Sequence, residues 1–233
     1  MTLPFSVFDW LALAIFFLAW IGYAVIVDRV PGIRRQSVIA AMDEHRRMWM
    51  RQVPGRENRI ADISIIGNLM SSTSFLANTC IFILGGLMAL MSGPEVGRRI
   101  FAIIPFAQPP ADPVGWEIRI TLMLVIFVRA FFDLTWAMRQ FNYGSILLGS
   151  MATARDPHAM LQADMAAKVL NRGALHFNSG LRAYYFGLAA LAWLIHPLAL
   201  ICATLWVVQE LHRREFRSAV RDAVAARSGP PRG

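Results

Sequence analysis

The sequence predicts an all-α fold: a polytopic membrane helical bundle of about four transmembrane helices with two amphipathic surface helices. Three observations carry that expectation. Hydrophobic residues make up 56% of the 233-residue chain and charged residues 16%, a departure from soluble averages toward the membrane class. Four apolar runs are each long enough to cross a hydrocarbon core. The basic residues gather between and beside those runs, where positively charged loops are the ordinary topological signal. The net charge of +8 is thereby accounted for without a nucleic-acid partner. Residues 1–212 read as one transmembrane helical domain and residues 213–233 as a basic, partly disordered tail.

Val7 to Val27 is the first run, opened by Asp9 and Trp10 and closed by Trp20, Tyr23, Asp28 and Arg29, so that aromatic residues mark both headgroup belts. Asp9 lies near the end of the run and is expected to stay hydrated there. After the break at Pro31 and Gly32, Ile33 to Val53 reads as an amphipathic helix on the lipid surface. Its Arg34, Arg35, Arg46, Arg47 and Arg51 would meet anionic headgroups, with Trp49 at the interface.

Gly67 to Met91 is the second run. Its first half carries Asn68, Ser71, Ser72, Asn78 and Thr79 within one broad stripe, and in lipid such groups turn inward and bond across helices. Gly85 and Gly86 offer a close-packing spot. Ser92 to Trp116 is a Pro-rich connector, and the third run, Ile118 to Met138, follows. Asp156 and Pro157 start a second surface helix and Gly173 ends it, by cap chemistry. Leu181 to Val208 is the fourth run; Pro197 frees the Trp193 carbonyl and predicts a kink beside His196. The tail is expected to fray after Ser228.

The third run is the one that needs explaining. Its eleven Leu, Ile, Val and Phe residues favour insertion by roughly 3 to 7 kcal/mol, whereas Arg129 and Asp133 oppose it by roughly 5 to 7 kcal/mol. The two charges share one helix face, so the run inserts comfortably when they are paired or turned to neighbours. They are expected to form an intramembrane polar cluster with Asn68, Ser71, Ser72, Asn78 and His196, Asn78 being the nearest candidate partner.

No catalytic constellation accompanies this cluster. Haem needs facing axial ligands, and His196 alone lies deep in a run; His45, His158, His176 and His212 lack zinc spacing. Cys80 and Cys202 sit inside runs without a ligand-spaced motif. Phosphate-cradling loops and nucleophile elbows are not found in the sequence. No metal and no cofactor is therefore expected, and the chemistry leans away from an enzyme.

Orientation follows from the Lys and Arg count: eight after the first run, two in the connector, four before the last run and six in the tail. With four crossings, one face holds twelve and the other eight, which puts both termini outside. A cytoplasmic tail would require an odd number of crossings, through a partial or re-entrant span.

Three stretches carry a resemblance: Asn68-Leu69-Met70-Ser71-Ser72-Thr73, Arg139-Gln140-Phe141-Asn142-Tyr143, and Gly180-Leu181-Arg182-Ala183-Tyr184-Tyr185-Phe186 through Trp193 and Pro197. In these the chain resembles the domain of unknown function 599 family of multi-span membrane proteins, although Gly67 stands where members carry Arg before the Asn. The resemblance implies a helical membrane fold and brings no activity.

The expected protein is thus a multi-pass membrane protein, of the cytoplasmic membrane in a bacterium, partnered by the bilayer and its anionic headgroups. Its polar cluster would serve helix packing or assembly, as a homo-oligomer or in a larger membrane complex. The alternative is a small transporter or channel subunit using the same polar residues, with a lipid-acting enzyme ranked third.

Overall fold

The computed structural model describes residues 5–92, 95, 113–219, 221 and 223. Among them every regular element is a helix: α1 (Val7–Arg29), a single turn α2 (Pro31–Arg34), α3 (Val38–Gln52), α4 (Ile60–Ser92), α5 (Pro113–Gly149), α6 (Ala159–Leu191) and α7 (Pro197–Phe216). Short 3-10 turns follow α3 at Val53–Gly55 and α6 at Ala192–Leu194. Helix starts are set by local chemistry. Ser6 caps α1 in a reciprocal box with Asp9, and Ser37 caps α3 by accepting from the Ala40 amide. Three helices, Val7–Arg29, Ile60–Ser92 and Val114–Gly149, are long and apolar enough to cross a membrane.

Two ends organise the bundle. At the first, Arg119 of α5 meets Asp9 of α1, and Trp116 lies against the Leu90 carbonyl of α4. At the second, here the basic end, Arg182 of α6 meets Asp28 of α1, and Glu215 of α7 accepts from the Ile39 amide of α3. Five helices, α1, α4, α5, α6 and α7, run between these ends. From Asp9 to Asp28, α1 rises about 28 Å at 1.5 Å per residue, close to a hydrocarbon thickness of about 30 Å.

α5 and α6 are longer than that. At about 55 and 50 Å they continue past the basic end, where α3 and the first turns of α4 pack against them. The protein therefore has two cores. One lies between the two ends, around Phe16, Cys80, Phe127, Phe186 and Trp193. The other lies beyond the basic end, around Met50, Ile66, Phe141, Leu148 and Leu170. Arg59 ties the second core down by donating to the Leu148, Met151 and Ala152 carbonyls at the open end of α5.

The seam between α5 and α6 has a period of seven. Gly173, Gly180 and Gly187 each face one large side chain of the antiparallel partner: Phe141, Leu134 and Phe127. A Cβ at Gly180 would lie 2.8 Å from Leu134 Cγ and 3.2 Å from the Ala130 carbonyl oxygen. Gly144 reverses the arrangement by receiving Leu170 of α6. Small residues at helical spacing let backbones approach closely where no hydrophobic driving force separates helix from lipid. A strict seven-residue repeat gives the shallow crossing of a left-handed pair.

Three expectations are corrected here. Gly173 does not end a separate surface helix, because its missing side chain is filled by the Phe141 ring and α6 runs on unbroken to Leu191. The fourth apolar run, Leu181 to Val208, is two helices and not one kinked helix. The 3-10 turn and the extended His196 reverse the chain, and Tyr185 Oη ends 3.2 Å from Arg214 Nη1. The basic tail starts later than residue 213, since α7 is helical through Phe216 and Glu215 is bonded to α3. The expected fraying after Ser228 and most of the Pro-rich connector fall outside the described residues.

Candidate functional site

Charged groups of the bundle are paired toward its two ends. At the first end, Arg119 Nη2 donates to Asp9 Oδ1 at 2.9 Å and Nη1 to the Trp193 carbonyl at 3.0 Å. The Trp193 indole donates to the same carboxylate oxygen at 2.8 Å, and the Ser6 hydroxyl bonds the other at 2.7 Å. The Arg119 guanidinium lies 5.0 Å from the Trp193 ring centroid, within cation–π reach. Asp9 and Arg119 are both 5% exposed. Asp9 is therefore a buried clamp residue joining α1, α5 and the α6–α7 turn, and not the hydrated interfacial acid expected. Nothing local in the sequence connects it to Arg119, 110 residues away.

Arg129 and Asp133 are paired as expected, Nε to Oδ2 at 3.1 Å, but their other partners come from α6. Ser179 donates to Asp133 Oδ2 at 2.8 Å, and His176 Nδ1 lies 3.6 Å from Oδ1. The Asp133 side chain is 14% exposed and that of Arg129 is 62% exposed. Their level follows from the seam. Leu134 is opposite Gly180, and Asp133 lies 14 residues, about 21 Å, along α5 from the Arg119 clamp, so it sits in the basic-side half of the bundle, about 7 Å inside the level of Asp28. Arg129, one turn deeper, runs its side chain back toward the basic end, as a snorkelling arginine does.

The remaining members of the expected cluster are elsewhere. His196 caps α7 at the Trp193 end, its Nδ1 accepting from the Leu198 amide at 3.1 Å. Asn68, Ser71, Ser72 and Asn78 are exposed on α4. Ser72 and Thr73 line a cavity of about 260 Å³ with Arg46, Phe141, Asn178 and Glu215 at the basic end. The polar residues from Asn68 to Thr73 therefore lie at or beyond that end, which gives their composition a simple cause: this part of the helix is not in the apolar tier. Asn78 is about 7 Å further in than Thr73 by helical rise.

The outward face of α4 carries a second repeat that the sequence reading missed. Ser64, Asn68, Ser71, Phe75, Asn78, Phe82, Gly85, Ala89 and Ser92 recur at alternating steps of four and three, and every one is exposed. Phe75 and Phe82 are 70% and 78% exposed, and a Cβ at Gly85 would meet nothing within 4 Å. The signal was the spacing itself, hidden because only its polar members were singled out.

On the basic side, α3 is held by protein rather than left free on its charged face. Arg46 bonds Asp43 and Asn171, each at 2.6 Å, and Asn171 donates to the Asp43 carbonyl. Arg51 bonds Asp164 at 2.9 Å, and its hydrogen bond holds that carboxyl below the usual carboxylate range. Arg34 reaches Asp43, Arg47 pairs with Glu44, and the Trp49 indole donates to the buried Asp62 at 2.6 Å, where Arg56 also binds. Arg35 remains exposed. Burial pushes the Glu215 carboxyl up from its ordinary value. Among the described residues, no three His, Cys, Asp or Glu side chains are grouped to hold a metal.

The profile of a family described as a protein of unknown function, DUF599, matches residues 11–220. No curated protein and no solved structure matches the chain. The match reaches from the first turns of α1 to beyond the end of α7 and so takes in both cores, the Arg119 and Trp193 side of the clamp and the outward face of α4: this chain is a member of the DUF599 family.

Proposed function

We propose that this is a multi-pass integral membrane protein, crossing five times with the basic end inside, that works by assembling with a second copy of itself through α4. The observation that carries it is Asn78. Its amide is exposed on the outward face of α4, in the apolar tier, and makes no hydrogen bond to any described residue. An unpaired amide facing hydrocarbon is unfavourable by several kcal/mol. A second Asn78 across a two-fold axis satisfies both, and interhelical bonds of this kind are worth about 0.6 to 2 kcal/mol.

The surroundings fit a helix pair. The repeat along α4 alternates small residues with Phe75 and Phe82, which supplies knobs and holes for a left-handed crossing. The charges support the topology. Five passes place the segment from Arg29 to Arg59, that from Arg139 to Arg172, and the tail arginines on one side, leaving Arg98 and Arg99 in the connector opposite. A transport path would need Asn78, Arg129, Asp133 and His196 along one line. Their positions on α4, in the basic-side half of α5, and at the opposite end of α7 favour assembly instead.

Size measurement of the purified protein in a mild detergent tests this. Wild type should run as a dimer; Asn78→Leu should shift to monomer at the same concentration, and Asn78→Gln should keep much of the dimer. A wild type that is monomeric in detergent and in vesicles, or an Asn78→Leu dimer as firm as wild type, would overturn the reading.

A further inference from the structure

The α6–α7 hairpin leaves a groove on the side of the bundle, distinct from the outward face of α4. Its volume is about 570 Å³, and it runs between Tyr185, Leu188 and Ala189 of α6 and Ala203, Trp206 and Val207 of α7. At the basic end its mouth is closed by Glu210, Arg213 and Arg214. Ala203 to Arg214 rises about 16 Å, half of a hydrocarbon core of about 30 Å. The groove therefore spans one leaflet, with its apolar floor at acyl depth and its charges at headgroup level.

The charges at the mouth do not cancel. Arg213 donates to both Glu210 oxygens at 3.0 and 2.8 Å, and Arg214 donates to Glu210 at 2.6 Å and to Tyr185 Oη at 3.2 Å. Two guanidiniums thus share one carboxylate, leaving one net positive charge, and their side chains are 67% and 61% exposed. Each retains N–H donors beyond those bonds, and arginine forks match phosphate oxygens.

From this charge complementarity we infer that the α6–α7 groove is a binding site for one anionic phospholipid of the basic-side leaflet, its phosphate on Arg213 and Arg214 and an acyl chain against Leu188, Ala203 and Trp206. A neutral zwitterionic lipid brings its own cation to the same mouth and gains less there. A free phosphate gains the arginines but not the floor, so the occupant is a lipid.

The test is native mass spectrometry of the full chain released from vesicles of phosphatidylcholine containing one part in four phosphatidylglycerol. Wild type should retain phosphatidylglycerol in preference to phosphatidylcholine. Arg213→Gln with Arg214→Gln should lower that preference about thirtyfold, from roughly 1 kcal/mol for each of the two basic residues near the surface. Glu210→Gln acts oppositely, by adding one net positive charge, and should raise the preference severalfold. Ala203→Trp keeps both arginines and fills the floor, and should cut lipid retention. Added inorganic phosphate should displace none of it. Equal thermal midpoints establish that each variant is folded. The inference fails if folded Arg213→Gln/Arg214→Gln keeps the wild-type preference, if folded Glu210→Gln does not raise it, or if Ala203→Trp retains lipid undiminished.

Discussion

Gly180→Ala tests the packing of the bundle at the point where the least adjustment is available. The added Cβ would come within 2.8 Å of Leu134 Cγ, 3.1 Å of its Cδ2 and 3.2 Å of the Ala130 carbonyl oxygen. Leu134 is fully buried and can rotate little, and the carbonyl belongs to the helix backbone and cannot retreat. Overpacking of this kind costs about 1–3 kcal/mol, and the better helix propensity of Ala returns at most about 1 kcal/mol. The net expectation is a loss of about 1–2 kcal/mol, or roughly 2–8 °C in midpoint for a chain of this size. Thermal unfolding in detergent, followed by helix circular dichroism, reads it. Gly22→Ala in α1 is the control, since a Cβ there meets nothing within 4 Å; it should leave the midpoint unchanged or raise it. Adding Leu134→Ala to Gly180→Ala should cost less than the two single losses together, by a coupling of about 0.5–3 kcal/mol. A Gly180→Ala protein as stable as Gly22→Ala would refute the seam.

Three further outcomes follow from the charges. Asp9→Asn leaves Arg119 buried without its counter-ion and should destabilise by about 3–5 kcal/mol, whereas Asp9→Leu with Arg119→Leu should recover a substantial part of that loss in the same unfolding assay. Glu215 titrates upward from 4.5 because it is buried, so the folded state holds its proton more tightly than the unfolded state. Its contribution to stability is full below 4.5 and is lost as pH rises through the folded value; Glu215→Gln, which still accepts from the Ile39 amide, should flatten the stability–pH curve across that window. Single cysteines introduced at residues 36 and 153 in intact cells should resist a membrane-impermeant thiol reagent, and one at residue 107 should react. The reverse pattern, or reaction at all three, would contradict the five-pass topology.

The apolar runs that became α1, α4 and α5 were legible because each is continuous and its helix is longer than a bilayer needs. The α6–α7 hairpin was not. Leu181 to Val208 has the length of one span, and a His-Pro pair inside it reads equally as a kink or as a cap followed by Pro at the first helical position; only packing of Tyr185 against Arg214 decides. Hydropathy also does not mark where the bilayer stops along a helix. Asn68, Ser71 and Ser72 therefore read as intramembrane polar groups, whereas α4 carries them at or beyond the basic end. The Asp9–Arg119 clamp joins residues too distant in sequence for any periodicity to reveal. The glycines at 173, 180 and 187 were visible in principle, but Gly173 next to alanine-rich helix looks like a stop signal until Phe141 is seen to fill its place.

Disulfide scanning along α4 tests the proposed assembly most directly. With Cys80 and Cys202 replaced by Ala, single cysteines at Ser71, Phe75, Asn78 and Phe82 should form intermolecular disulfides under mild oxidation in the native membrane. Cysteines at Ile81 and Met88, exposed on the flank of the same helix, should form far fewer. Cross-linking that rises and falls with the four-three repeat is the predicted result; equal yields at all six positions, or none at Asn78, would contradict it.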